Sequence, residues 1–145
     1  MHGRRVTGWR GLMATRNLRT PDLTSRRSMP HVVAVTTLLQ EMERERLERR
    51  ERLRAQVRQQ LREVLPQTIP GQQVVVYGSL VKPGRFSEGS DIDLALASEP
   101  PGMSLYLLAS RLAERLGRRV DLVLLHESRL QDKILREGET WTLPG

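Results

Sequence analysis

Residues 74–97 read VVVYGSLVKPGRFSEGSDIDLALA, two runs of β-forming residues flanking an eleven-residue spacer. The first run, Val74 to Tyr77, stops at Gly78-Ser79; the second opens at Asp91 and reads Asp91-Ile92-Asp93-Leu94-Ala95-Leu96. Side chains alternate faces along a strand, so Asp91 and Asp93 point the same way, roughly 6–7 Å apart, while Ile92, Leu94 and Leu96 point to the other face. Two neighbouring carboxylates repel, and each costs free energy unless a cation or a proton sits between them. A hard divalent ion such as Mg2+ resolves the conflict, because it takes oxygen ligands and is commonly held by one or two carboxylates plus substrate phosphates. The competing reading makes Asp91 a turn cap and Asp93 a solvated strand residue. It does not explain an aspartate between Ile92 and Leu94 on a strand short enough to be mostly buried.

The Gly78-Ser79 step supplies a phosphate-binding half. A glycine ending a strand lets the backbone approach a ligand closely, and the N–H groups that follow can face phosphate oxygens, most effectively where a helix begins. Ser79 can instead be a plain helix N-cap. In the spacer, Lys82 and Arg85 either offset triphosphate charge or are ordinary solvated cations. A third carboxylate stands in Arg119-Val120-Asp121-Leu122-Val123-Leu124-Leu125; if that strand lies beside the second, about 4.8 Å away, Asp121 joins the pair. Three carboxylates facing a phosphate-sized gap is the layout that two-metal phosphoryl or nucleotidyl transfer requires.

The order Gly-Ser, spacer, Asp-Ile-Asp and a later strand aspartate resembles the minimal nucleotidyltransferase family of the DNA polymerase β-like superfamily. The resemblance extends over residues 55–143 and includes the closing Ile134-Leu135-Arg136-Glu137-Gly138-Glu139. It implies an α/β (α+β) core, a small mixed sheet covered by helices, preceded by a long charged N-terminal helix. It further implies Mg2+, as two ions on Asp91, Asp93 and Asp121, and ATP as substrate, with Gly78 and Ser79 at the β/γ-phosphates. Asp121 would complete the catalytic metal site and help to deprotonate the attacking hydroxyl. Small proteins of this kind are similar to antitoxins that transfer AMP to a tyrosine of a helical HEPN-type toxin. Two alternatives stand beside that expectation: a non-enzymatic toxin-binding module, and a small-molecule nucleotidyltransferase completed by a partner subunit.

A length of 145 residues is that of one domain. No run approaches 18 consecutive apolar residues, so no membrane span is expected. With no cysteine there is neither a disulfide framework nor a thiolate nucleophile, which fits a reducing, cytoplasmic location. The net charge of +7 is unevenly placed: residues 1–30 carry seven arginines and one acid, whereas the other 115 residues carry 17 bases and 16 acids. Any electrostatic case for nucleic-acid binding therefore rests on that segment.

Residues 1–30 lack a sustained period, and the expectation is a disordered basic tail. An arginine-rich transit peptide, a nucleic-acid arm, and translation starting at Met29 are the readings open for it. Residues 31–65 predict a helix, with Val35, Leu38, Leu39 and Met42, and then Leu53, Val57, Leu61, Val64 and Leu65, at helical spacing. Between them Glu48–Arg52 and similar pairs stand at i,i+4, on a solvated face whose broken heptads also admit a partner-binding role. Pro66 and Pro70-Gly71 are expected to stop this helix and turn the chain into the first strand, and residues 66–145 to form the transferase domain. Ser104 and Gly117 bracket a further helix, residues 119–125 form a strand, and a last helix runs from about Glu127 to Glu137, with Trp141 packing behind it. His2, His31 and His126 lack metal-ligand spacing.

Overall fold

The computed structural model describes the backbone of residues 30–145 and the side chains from residue 34 onward. The tail expected over residues 1–30 lies outside the described residues but for Pro30, as do the side chains of His2 and His31. The chain divides into two compact units, residues 1–45 and 46–145. In the first, the described residues are helical, and Val35, Leu38, Leu39 and Met42 are all more than half exposed.

The helix α1 runs Pro30–Thr68 and passes through Pro66, where the sequence predicts a stop. Two features hold its last turn: Leu65 and Ile69 are buried, and the chain closes through Ile69 N–H to Leu65 O (2.8 Å) and Thr68 Oγ1 to Val64 O (3.0 Å). Burial of two such side chains is worth about 1.5–3 kcal/mol each, enough to offset the roughly 3 kcal/mol cost of an interior proline. On the charged stretch Glu51 pairs with Arg54 at i,i+3 (3.2 Å).

Four strands make one mixed sheet in the order β3-β2-β1-β4. They are β1 (Gln73–Tyr77), β2 (Ile92–Leu96), β3 (Val120–Leu124) and β4 (Glu139–Thr142). β1 pairs antiparallel with both β2 and β4, and β2 pairs parallel with β3. The parallel pair needs a crossover, supplied by α2 (Leu105–Leu116), which Ser104 caps by accepting from Leu107 N–H and Gly117 ends in the left-handed conformation. The short helix α3 (Gln131–Glu137) begins four residues later than the sequence predicts, because Leu125–Glu127 forms a separate 3-10 turn closed by Ser128 N–H to Leu125 O. The strand β4 was not foreseen from the sequence.

Strand alternation divides the core. Val74, Val76, Ile92, Leu94, Leu96 and Val120 face one way and are buried with Val57, Leu61 and Leu65 of α1 and Leu108 and Leu112 of α2. The opposite face carries Val75 and Ala95 under Ile134 of α3. Gly138 permits that contact, since a Cβ there would stand 2.7 Å from Val75 Cγ1 and 2.9 Å from Val76 O. One face is thus covered by two helices and the other by a seven-residue helix, which leaves part of that second face open for chemistry.

Candidate active site

The aspartates lie on the thinly covered face. Because 92, 94 and 96 face the large core, Asp93 faces away from it, and the same alternation sends Tyr77 and Asp121 with it. Register then aligns them: Tyr77 is the Cα partner of Asp93, and Asp93 is the Cα partner of Asp121. Asp91 precedes β2 and is half-buried, as are Asp93 and Asp121.

Gly78 backs this row. Its φ of +76° belongs to the left-handed region that glycine occupies at little cost, and an added Cβ would overlap the Asp93 carboxylate, with Asp93 Cγ only 3.1 Å away. The chain then makes a 3-10 turn, Gly78–Val81, instead of a longer helix. Buried Leu80 anchors the turn, and Arg54 of α1 donates to the Leu80 carbonyl at 2.9 Å.

Burial pushes the Asp93 carboxyl up to about 6, and the charges of Asp121 and Asp91 add to the shift. The same two influences raise the Tyr77 phenol: burial first, then Asp93 and Asp121. Negative charge is concentrated here, and Arg119 answers it. Arg119 places Nε 3.3 Å from Asp121 Oδ1 and 3.8 Å from Asp91 Oδ2. With Asp91 and Asp121 engaged by that guanidinium, no three histidine, aspartate or glutamate side chains among the described residues converge as a ready ligand set. The donor chemistry nevertheless suits a hard cation: three carboxylates, one of them raised by burial and then by its neighbours, beside a glycine that leaves them room.

Gly78, Tyr77 and Lys82 line a cavity of about 170 Å3 together with Lys133, Ile134 and Glu137 of α3. Lys82 pairs there with Glu137 at 3.2 Å, which holds the Glu137 carboxyl below its usual value. Of the residues singled out in the sequence, Asp91, Asp93, Asp121 and Gly78 are thus brought together, while Lys82 shares with Gly78 a cavity that none of the aspartates lines. Ser79 is half-buried in the 3-10 turn, and its carbonyl accepts from Lys82 N–H. Arg85 is exposed and lies outside the cavity lining. His126 is exposed and 3.8 Å from Glu127.

Sequence reasoning missed Tyr77, Lys133 and the Arg118-Arg119 pair. Arg118 donates to the carbonyls of Ser87 (3.2 Å), Glu88 (2.8 Å) and Ser90 (2.8 Å), and its guanidinium lies 4.8 Å from the centroid of buried Phe86. A signal for Arg119 was available: alternation puts residues 119 and 121 on one face and 118 on the other.

Among known proteins, a solved toxin–antitoxin structure with AMP-PNP is similar at 29% identity and a TM-score of 0.47, covering 58% of this chain and 72% of that one. A mutant of the toxin–antitoxin MntA-HpeT is similar at 27% identity and a TM-score of 0.43, covering 55% of this chain and 68% of that one. No curated protein matches. The family model described as "Polymerase beta, Nucleotidyltransferase" matches residues 59–141, from the buried half of α1 through β4. That match spans more than half of the chain and takes in every aspartate of the row, so the protein belongs to the polymerase β-type nucleotidyltransferase family.

Proposed function

We propose that the protein transfers AMP from ATP to a hydroxyl of a partner protein, a tyrosine of a helical HEPN-type toxin, and so acts as its antitoxin in the cytoplasm. The observation that carries the transfer is the alignment of Asp93 with Asp121 across β2 and β3, on the open side of the sheet and against Gly78. Asp91, Asp93 and Asp121 would hold Mg2+, as two ions, and the metal would supply charge neutralisation on the triphosphate and lower the pKa of the acceptor hydroxyl. Gly78 and Ser79 would offer backbone at the start of the turn for phosphate oxygens, with Lys82 lining the same cavity as Gly78 and Arg85 an exposed cation outside it. Tyr77, whose phenol is raised and so stays protonated at neutral pH, presents an O–H donor next to Asp93.

A protein acceptor suits the exposure of this face. Among the described residues the cover on this side comes from α3 and from Leu125 of the 3-10 turn, so a small acceptor would find few walls while a second protein could complete them. The toxin identity and the tyrosine follow from the Gly-Ser, Asp-Ile-Asp resemblance.

The test is co-expression with a helical neighbour-encoded protein, followed by its intact mass after incubation with ATP and Mg2+. A rise by whole AMP units with the wild type, absent with Asp91→Ala/Asp93→Ala, is the expected result. A stable complex with no mass change would favour a binding-only module, and no complex would return the small-molecule reading.

A further inference from the structure

A second concavity lies apart from the aspartate row. It has a volume of about 330 Å3 and is walled by Arg46, Arg49, Arg50 and Leu53 of α1 and by residues 87–89 of the loop that leads to Asp91. That volume falls at the small end of ligand clefts, about 300–1,000 Å3. Three arginines against one acid, Glu88, make its lining cationic, although residues 31–145 as a whole are nearly neutral.

Both walls are fixed. Arg50 donates to the Gly84 carbonyl at 3.3 Å, Gly84 N–H donates to Glu51 at 2.7 Å, and Arg118 fastens the loop from beneath through the Ser87, Glu88 and Ser90 carbonyls. Arg50 uses one of five guanidinium donors in this way, and Arg49 is exposed. Gly89 is two residues from Asp91, a chain span of at most about 7 Å, so a segment held in the groove lies a few residues from the carboxylates.

We propose that this groove docks an acidic segment of the acceptor protein; the proposal rests on the reading above that the acceptor is a protein. Carboxylates match the planar guanidinium fork, and Leu53 with the arginine stems offers apolar surface for the backbone and methylenes of a peptide. Nucleic acid fits less well. No aromatic ring lines the groove for base stacking, and three arginines beside Glu88 fall short of the six to ten phosphate contacts that sustain affinity for a duplex.

The experiment is fluorescence anisotropy with a labelled peptide alternating glutamate and tyrosine, a lysine-for-glutamate version of it, and an oligo-uridylate of equal charge. The full chain is used as wild type, Arg49→Glu, Arg129→Glu (an exposed arginine outside the groove) and Asp91→Ala/Asp93→Ala. The expected result is binding of the acidic peptide alone, weakened at least about fivefold by Arg49→Glu and unchanged by the other variants. No binding by the wild type, equal loss with Arg129→Glu, or tighter binding of oligo-uridylate overturns the proposal. Mass analysis of the partner separates the two ideas. Transfer undiminished by Arg49→Glu at limiting partner removes the groove and leaves the transferase, whereas peptide loss with no transfer by the wild type leaves the groove and removes the transferase.

Discussion

Asp93 and Asp121 are Cα partners on adjacent parallel strands, so two carboxylates occupy neighbouring positions on one face of the sheet. Neither can move far without breaking the register that also pairs Leu94 with Leu122 and Ala95 with Val123. Their mutual repulsion is therefore built into the sheet, and it raises the Asp93 carboxyl to about 6 from an ordinary 3.8, after burial as the larger cause.

That shift has a definite sign in stability. The unfolded chain releases the Asp93 proton near 3.8 and the folded chain near 6, so the metal-free fold loses stability as pH rises between those values and no more above them. Asp93→Asn should therefore stabilise the metal-free protein by about 1–2 kcal/mol at neutral pH, a figure reduced because the group is only half-buried, with the gain vanishing toward pH 4. Urea midpoints of the two proteins across this range, with chelator present, check it. Mg2+ uptake by the metal-free protein, which needs the Asp93 carboxylate ionised, should weaken as pH drops through about 6.

Gly78→Ala should be the most damaging conservative change at the site. It forces a side chain into φ +76° and onto the Asp93 carboxylate. A loss of about 2–4 kcal/mol is expected, together with loss of transfer in whatever fraction remains folded. Thermal melts and partner mass read the two effects separately.

Arg119→Gln removes the guanidinium shared by Asp91 and Asp121. The side chain is 74% exposed, so stability should change by no more than about 0.5 kcal/mol. Cation binding should change more: a positive charge some 5 Å away disfavours a second cation by about three- to tenfold, and its removal should lower the Mg2+ midpoint by that factor. A thermal-shift titration with Mg2+ measures it, and an unchanged midpoint would show that Arg119 does not compete for the carboxylates.

Arg118→Ala strips three carbonyl partners and the cation over Phe86. The expected loss is about 1–3 kcal/mol, with faster amide exchange confined to residues 87–91. Uniform acceleration across the sheet would place the defect elsewhere.

The positions of the aspartates proposed to hold the metal were the most legible in the sequence, because an aspartate between Ile92 and Leu94 contradicts its surroundings. Alternation alone put Asp91 and Asp93 opposite the core. Other features depend on partners distant in the chain. β4 reads Glu-Thr-Trp-Thr with no apolar run, and only pairing to β1 makes it a strand, with Arg58 and Arg62 over the Trp141 ring and Arg58 on Glu139. Pro66 misled because local preference gave way to the burial of Leu65 and Ile69. Arg118 was invisible, since backbone carbonyls as acceptors leave no mark in a sequence.

The place of β1 between β2 and β4 also bears on synthesis. Once Leu96 has been made, β1 can pair with β2, but its other edge, with Val74, Val75 and Val76, stays unpaired until Thr142 is added. At about 5–20 residues per second the ribosome leaves that edge open for about 2–9 s. An unpaired, valine-rich edge is a template for a neighbouring nascent chain on the same message. Changes that weaken β4 should therefore appear in cells first as insoluble protein, and only afterwards as a lowered melting point of what is recovered.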